Sequence, residues 1–256
     1  MILKEGYKKE LAPVLKNGEN VKVNFSLSLL GIEPHEQTNT FTSRLYYTRN
    51  WFDERLMYKH LKRDSGGEMN ALLPDEMDLI WYPYVTFYNM KTLEDMDRYV
   101  SEVIPNRTSN IFAVNNMHIF NGSDNALSFT REYDVEWNSE YAYLWYPFDK
   151  QVCQMQIVSK FSRTDLHPAN LLYNKNISLD RYTLSSIRMC KSAINEKNAI
   201  TVEVTLGRPI INNLLTVFIP TMLLVMISFT VRLFAEDYID MVIQVNVTVM
   251  LALATM

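Results

Sequence analysis

An uncharged run near the carboxyl end constrains this chain more than any other feature. Residues 209–231 read PIINNLLTVFIPTMLLVMISFTV, 23 residues in a row without a charge. As a helix the run would be about 35 Å long at about 1.5 Å per residue, enough to cross the hydrocarbon core of a bilayer. Pro220 lies inside it, and membrane helices accept proline better than soluble helices do. The alternative is an unusually long buried core helix.

A second uncharged segment follows a short acidic link. After residues 235–240 (AEDYID), no charge occurs from residue 241 to residue 256. These 16 residues are too few to span a bilayer comfortably, so we expect the chain to stop inside a second membrane helix. The opening MILKEGYKKEL lacks the apolar run and cleavage site of a signal peptide, so we expect the start to be incomplete as well.

The first 208 residues, which hold most of the charges, have the periodicity of β-strands. Residues 21–29 and 199–206 alternate apolar and polar side chains, and so do residues 127–137, apart from Arg131. A period of two is typical of half-buried strands, and polar turns such as 121–125 separate them. The sequence therefore predicts a mainly β protein, an antiparallel β-sandwich ectodomain followed by transmembrane α-helices.

Composition and motifs argue against several classes of function. The 25 basic and 29 acidic residues leave a net charge of -4, which excludes a strongly basic nucleic-acid binder. No Gly-rich phosphate loop, GxSxG or HExxH motif is present. The histidines are scattered without metal-ligand spacing, at His35, His60, His118 and His167. We therefore expect no enzyme, no metal or other cofactor, and no nucleic-acid partner.

Asn-x-Ser/Thr sequons in the predicted sandwich suit an extracellular domain. They begin at Asn24, Asn106, Asn121 and Asn176. Asn24 lies in a predicted strand, so we predict glycosylation at Asn106, Asn121 and Asn176.

Four motifs, in the right order, resemble a known family. Residues 146–153 (YPFDKQVC) resemble the YPFDxQxC signature of the Cys-loop, or pentameric ligand-gated, ion channels. Residues 51–56 (WFDERL) resemble their WxDxRL, and residues 80–89 (IWYPYVTFYN) resemble their WxPDxFFxN. The pair 207–208 (GR) precedes the first membrane helix as it does in the family. The resemblance covers essentially the whole chain.

The resemblance implies five subunits around a pore, each with a β-sandwich above four membrane helices. Residues 1–208 would be an extracellular ligand-binding β-sandwich. Residues 209–256 would be a transmembrane region, with a first helix at 209–232 and a partial pore helix at 239–256. The implied partners are a small extracellular ligand, the lipid bilayer of the plasma membrane and four further subunits, identical or different. The loop that couples ligand binding to the membrane helices would contain Tyr146, Pro147, Phe148 and Asp149.

The chain departs from the family at the loop that gives the family its name. The first loop cysteine should lie fourteen residues before Cys153, and that position is Ser139. The namesake disulfide, a bond typically worth about 2–4 kcal/mol, cannot form, so we expect packing of residues 146–148 to hold the loop. By resemblance Cys190 lies between the last two strands, far from Cys153. We therefore predict that the two cysteines are not bonded to each other.

The family binds agonists between subunits, in a box of aromatic side chains. By resemblance Tyr46 belongs to the complementary wall, which Phe129 and Thr130 complete. Tyr88 belongs to the principal wall. The alternative is that Tyr46 and Tyr88 are ordinary aromatic residues of the sandwich.

The same site contains a cation where the family usually has an aromatic side chain. That position, seven residues after Cys153, is Lys160, with Phe161 beside it, and no aromatic residue occurs at 190–198. Aromatic faces attract ammonium groups. By resemblance Lys191 and Lys197 lie near Lys160, and three lysines suit an anionic ligand group better than an ammonium group.

Helix geometry predicts a polar stripe on the second membrane helix. At about 100° per residue, one stripe about 80° wide holds Asp240, Gln244, Thr248, Leu251 and Thr255. A polar stripe suits a water-filled pore, while the valines at 242, 245 and 249 suit contact with lipid or another helix. By resemblance Leu251 is the mid-pore leucine that forms a hydrophobic gate. The alternative is a stripe packed inside a helix bundle.

The selectivity of such a pore stays open. Anion-selective members usually carry Pro-Ala-Arg at the inner end of this helix, where this chain has residues 240–242 (DMV). A ring of Asp240 carboxylates would attract cations, yet the stretch is also similar to arthropod proton- or zinc-responsive chloride channel subunits. Two other functions fit the sequence as well, that of a soluble ligand-binding protein of the same sandwich fold and that of a silent structural subunit.

Overall fold

The computed structural model describes residues 1–4, 6–13, 18–62, 70–108, 111–114, 117–173, 179, 182–233 and 239–255. The chain divides into two compact units. The sandwich unit contains Met1–Tyr141, Gln151–Leu179 and Leu184–Leu206. The helical unit contains Ala142–Lys150, Asp180–Thr183 and Gly207–Met256.

A five-stranded sheet forms one layer of the sandwich unit. Its strands follow the order β11 (Thr164–Tyr173), β2 (Val21–His35), β3 (Thr40–Trp51), β9 (Ala126–Asn138) and β6 (Met90–Ile104). All neighbours are antiparallel except β11 and β2, which are parallel.

Two four-stranded sheets accompany it. One has the order β12 (Thr183–Ile194), β13 (Lys197–Gly207), β10 (Lys150–Ser159) and β5 (Val85–Phe87). The other has the order β1 (Ile2–Leu3), β4 (Leu56–Lys59), β8 (Met117–Asn121) and β7 (Ile111–Val114). A short helix, α1 (Pro74–Met77), lies between β4 and β5. The predicted mainly β sandwich is confirmed.

The core is built from the alternating apolar residues of these strands. Every second residue of β2 from Val21 to Leu29 is at most 2% exposed, as the period of two predicts. The alternating residues of β13 from Ile200 to Leu206 are fully buried. Burying a side chain of this size stabilises the fold by about 1.5–3 kcal/mol.

Two of the sequence motifs meet through Tyr7. Asp53 is fully buried and accepts hydrogen bonds from Arg55 Nε at 2.9 Å and Arg55 Nη2 at 2.8 Å. The Tyr7 hydroxyl lies 3.4 Å from Asp53 Oδ2 and accepts a hydrogen bond from the backbone N–H of Trp81 at 2.8 Å. Burial raises the pKa of Tyr7 to about 12. The segments 51–56 and 80–83 are therefore joined by one hydrogen-bond network.

Helical backbone in the helical unit runs without a break from Ile210 to Leu233. It begins as α2 (Ile210–Asn213), widens to a π-helical segment (Leu214–Phe218) and continues as α3 (Ile219–Leu233). The sequence predicts a single helix over 209–232 and does not predict the widening. Pro220 explains it, because proline has no N–H to donate and its ring crowds the carbonyl four residues earlier. After residues outside the described part, α4 (Ile239–Thr255) follows.

No helix within the described residues is both long enough and apolar enough to span a bilayer.

Candidate functional site

The residues predicted to form the principal wall lie in two loops of the sandwich unit, one at 88–89 and one at 160–163. Tyr88 lies in the turn before β6, with its backbone N–H bonded to the Gln156 carbonyl at 2.8 Å. Its ring is 56% exposed, and its hydroxyl lies 3.4 Å from Asn195 Nδ2 in the turn between β12 and β13. Tyr88 therefore reaches the hairpin that contains Cys190 and Lys191.

Lys160 and Phe161 contact Tyr84, an aromatic residue that the sequence did not predict at this site. Lys160 Nζ lies 5.6 Å from the centre of the Tyr84 ring, and its backbone N–H donates to the Tyr84 carbonyl at 2.9 Å. Phe161 packs against Tyr84 and Trp81 with ring centres 6.2 Å and 6.0 Å apart. Among the described residues, Lys160 makes no hydrogen bond or cation–π contact with Tyr88. The sequence contained one indication that this position is unusual, because Tyr84 replaces the aspartate of the family motif WxPD.

Tyr46, on the predicted complementary wall, belongs to a charged cluster. Tyr46 and Glu132 are opposite one another on β3 and β9, and the Tyr46 hydroxyl hydrogen-bonds to Glu132 and Arg98. The Glu132 side chain is fully buried and accepts from Arg44 Nε at 2.7 Å and Arg98 Nη1 at 3.3 Å. Burial works to raise the pKa of Glu132, but the hydrogen bonds from Tyr46 and Arg44 hold it below its usual range. Two guanidinium groups share the Glu132 carboxylate, and Asp134, opposite Arg44 on the same face, adds a second carboxylate to the cluster.

The structure separates Phe129 from this wall. Thr130 is on the same sheet face as Tyr46, and its hydroxyl lies 2.8 Å from that of Thr48. Phe129 is on the opposite face, 6% exposed, with its ring centre 5.6 Å from that of Tyr82. Consecutive residues of a strand point to opposite faces of the sheet, so the predicted grouping of Phe129 with Thr130 and Tyr46 is wrong.

Phe129 instead lines a cavity that the sequence did not predict. The cavity measures about 390 Å³ and lies between the inner face of β3 and β9 and the segment 74–85. Aromatic rings and the buried Arg49 form much of its wall. No group of three or more His, Cys, Asp or Glu side chains among the described residues could hold a metal ion.

The YPFD loop is held by an ion pair and by aromatic rings that pack on its guanidinium group. Within the helical unit, Arg208 Nε donates to both Asp149 oxygens, at 2.8 Å and 2.9 Å, and Arg208 Nη2 donates to the Tyr182 hydroxyl at 2.8 Å. Pro147 and Asp149 are buried, but Tyr146 is 48% and Phe148 64% exposed. The Tyr146 ring nevertheless packs on the Arg208 guanidinium, with its centre 5.0 Å from Cζ. The expectation that packing of residues 146–148 holds the loop therefore fails for Phe148.

The predicted pore stripe lies on the exposed side of α4. Asp240, Gln244 and Thr248 are exposed and Leu251 is 67% exposed, whereas Val249 is 8% exposed. The side chain of Thr255 lies outside the described residues. A hydrogen bond of 2.5 Å from Ser228 Oγ to Asn246 Oδ1 joins α3 to α4.

Two of the three predicted glycosylation sites are described. Asn106 is exposed, and its side-chain oxygen accepts hydrogen bonds from the backbone and hydroxyl of Thr108. Asn121 is half-buried at the end of β8. Asn176 lies outside the described residues.

Residues 2–208 match the family model described as the neurotransmitter-gated ion-channel ligand binding domain. The chain is 24% identical over 227 residues to a glutamate-gated chloride channel of Drosophila melanogaster, covering 84% of this chain and 45% of that protein. It is 23% identical over 267 residues to the gamma-aminobutyric acid receptor subunit pi of Bos taurus, covering 99% of this chain and 56% of that protein. It is 22% identical over 234 residues to the acetylcholine receptor subunit beta-type acr-3 of Caenorhabditis elegans, covering 89% of this chain and 44% of that protein. The chain thus spans about half the length of these relatives.

Proposed function

The chain belongs to the neurotransmitter-gated ion-channel family, and from that premise we propose that it is one subunit of a pentameric channel opened by an extracellular ligand. The observation that carries the proposal is the family match, which covers the whole β-sandwich from residue 2 to residue 208. In this proposal the sandwich is extracellular, the segment 209–256 lies in the plasma membrane, and four further subunits complete the pore. We also propose that the extracellular sandwich is glycosylated at Asn106, Asn121 and Asn176.

The proposed agonist site lies between two subunits. Tyr88, Lys160 and Phe161 form the principal wall, and we add Tyr84 because it contacts both Lys160 and Phe161. Tyr46 and Thr130 form the complementary wall, beside Arg44, Arg98 and Glu132.

The cation of the principal wall favours an agonist with a carboxylate group. Lys160 contributes an exposed cation on the principal wall. On the complementary wall the charges of Arg44 and Arg98 are offset by Glu132 and Asp134. Charge-assisted hydrogen bonds to a carboxylate are about twice as strong as neutral ones. Two of the relatives are named for glutamate and gamma-aminobutyric acid, which both carry a carboxylate.

The proposed pore is lined by the stripe of Asp240, Gln244, Thr248, Leu251 and Thr255. The burial of Val249 on the other face supports this orientation of α4, whereas Ile243, Val247 and Met250 are as exposed as the stripe itself. Five copies of Leu251 would form a poorly wetted ring that blocks ions without a charge barrier.

Whole-cell recording of the complete subunit, with a panel of amino acids and amines, tests the proposal. We expect currents with agonists that carry a carboxylate, and the reversal potential in different salts assigns the permeant ion. Lys160→Trp should raise the half-maximal concentration of such agonists at least about tenfold, the equivalent of about 1.4 kcal/mol. The matched control, Lys22→Trp, changes an exposed lysine on β2 and should respond like the wild type.

Two results would contradict the proposal. One is an unchanged agonist response in Lys160→Trp, which rejects the pocket. The other is recovery of the complete subunit in the aqueous fraction without detergent, which favours a soluble ligand-binding protein of the same fold.

A further inference from the structure

The cavity inside the sandwich unit has the size of a small-molecule site. Its volume of about 390 Å³ falls within the range of about 300–1,000 Å³ that is typical of ligand pockets. Tyr47 in its wall is 4% exposed, whereas Tyr84 and Tyr99 are 53% and 47% exposed. The cavity therefore has a buried inner end and a mouth open to solvent. The aromatic rings that line it are those of Tyr47, Tyr82, Tyr84, Tyr99, Phe129 and Tyr133.

A buried arginine lies among these rings. Arg49 is 5% exposed, and its guanidinium carbon is 5.0 Å from the centre of the Tyr47 ring and 4.6 Å from that of Phe129. Nη1 donates to the Pro83 carbonyl at 2.5 Å. Nε is buried without a hydrogen-bond partner, and no carboxylate of the described part of the chain pairs with this guanidinium.

An uncompensated buried cation is costly, and an anionic ligand offsets that cost. A charged side chain removed from water is normally paired with an opposite charge or fully hydrogen-bonded. Arg49 has one carbonyl partner and the faces of two rings. Burial also lowers the pKa of Arg49, which is the direction expected when the charged form lacks an anionic partner. A carboxylate in the cavity would supply the missing hydrogen-bond acceptors and the missing charge.

The other charged groups of the cavity limit which anion fits. Arg131 also lines the cavity, but Asp95 already pairs with it. Asp78 is exposed and contributes a negative charge to the lining. The negative charge of Asp78 would repel a second carboxylate on the ligand. A ligand with a single carboxylate directed at Arg49 is therefore the best match.

The cavity is distinct from the proposed agonist site between subunits. Arg49 and Tyr47 lie on the inner face of β3, while Tyr46 and Thr48 alternate with them on the outer face. All the lining residues belong to the sandwich unit of one chain. Tyr84 connects the two places, because it lines the cavity and also contacts Lys160.

We propose that this cavity binds a small organic monocarboxylate, with its carboxylate on Arg49 and an aromatic or branched aliphatic body against the tyrosine and phenylalanine rings. The site lies within a single subunit and does not require the assembled pore. This proposal can therefore be correct or incorrect whether or not the proposed agonist pocket exists.

Calorimetric titration of the complete subunit in detergent with benzoate, and separately with benzyl alcohol, tests the proposal. The two probes have similar bodies, and only benzoate is charged. We expect benzoate to bind at least about tenfold more tightly, a difference of about 1.4 kcal/mol. Arg49→Gln should remove that advantage and leave the affinity for benzyl alcohol within about twofold, since the aromatic wall is unchanged.

Two further variants keep the test decisive if Arg49→Gln does not fold. Asp78→Asn changes an exposed side chain at the cavity and should strengthen benzoate binding about two- to fivefold by removing a repulsive charge. Lys160→Gln should leave benzoate affinity unchanged, which distinguishes the cavity from the agonist pocket. The proposal is overturned if benzoate fails to bind, if both probes bind equally, if Asp78→Asn leaves benzoate affinity unchanged, or if Lys160→Gln abolishes benzoate binding while Arg49→Gln retains it.

Discussion

Ser139 and Cys153 lie next to each other in the sandwich unit although no bond joins them. Both cysteines of the chain are free, Cys153 buried and Cys190 exposed. Burial raises the pKa of Cys153, while hydrogen bonds with Ser139 and Tyr141 work to lower it. The side chain of Ser139 is therefore within hydrogen-bond reach of the Cys153 thiol.

Ser139→Cys should form the disulfide that the natural sequence lacks. The closed loop would contain about 15 residues, for which chain entropy predicts about 3 kcal/mol of added stability. Thiol titration of the denatured, unreduced variant should find one free thiol instead of three. The control Glu140→Cys, one residue along, should show all three thiols free and no stabilisation. Three free thiols in Ser139→Cys would contradict the placement of Ser139 beside Cys153.

Glu132 should make the stability of the fold sensitive to acid. Its pKa is lowered in the folded state, so the stabilisation is present above the ordinary carboxyl pKa and is lost as the pH falls through the folded value. Unfolding by urea, measured from pH 7 downward, should show stability declining below about pH 4.5. Glu132→Gln should be less stable at pH 7 and should show a flatter decline. An equal pH dependence in both proteins would reject this role.

At the scale of elements, the loop 142–150 is held through Asp149. The side chains of Arg208 and Asp149 are 6% and 2% exposed, so removal of the Asp149 charge leaves a buried guanidinium without this carboxylate. Asp149→Asn should lower the free energy of unfolding by about 3–5 kcal/mol, as urea unfolding of the complete subunit in detergent can measure. Glu19→Gln, in an exposed pair with Lys22 at 4.0 Å, is the matched control and should cost less than about 1 kcal/mol. Equal losses in both variants would show that burial of the pair does not matter.

The orientation of α4 leads to a prediction about the proposed gate. Leu251→Thr adds a hydroxyl to the exposed stripe, so it should hydrate the ring of leucines and favour the open state. Whole-cell recording should show leak without agonist or a lower half-maximal agonist concentration. Val249→Thr, on the buried face, should do neither. Leak in Val249→Thr but not in Leu251→Thr would mean that the helix is rotated, and the proposed roles of Gln244 and Thr248 would fail as well.

At the scale of the whole molecule, a single chain leaves large apolar side chains in contact with solvent. In the helical unit Leu144 is 86% and Trp145 73% exposed, and exposed apolar surface of this kind marks contact with a partner or a membrane. We expect the complete subunit, purified in mild detergent, to give a native mass five times that of one chain. A mass that corresponds only to monomers would contradict the pentamer.

The sequence by itself determined the features that depend on neighbours along the chain. The period of two in β2 and β13 predicts which of their residues are buried, because alternate side chains of a strand face the same side. The ordered motifs from WFDERL to YPFDKQVC indicate the family, and the absence of a cysteine at position 139 excludes the usual disulfide. None of these inferences requires knowledge of which strands pair.

The tertiary structure alone decided which residues meet across the fold. Phe129 and Thr130 are adjacent in sequence but face opposite sides of the sheet, and Lys160 contacts Tyr84 rather than Tyr88. The cavity around Arg49 exists because the segment 74–85 lies over the inner face of β3 and β9. Contacts of this kind depend on strand register and on the path of loops, and both are set by packing among distant segments, which local periodicity does not encode.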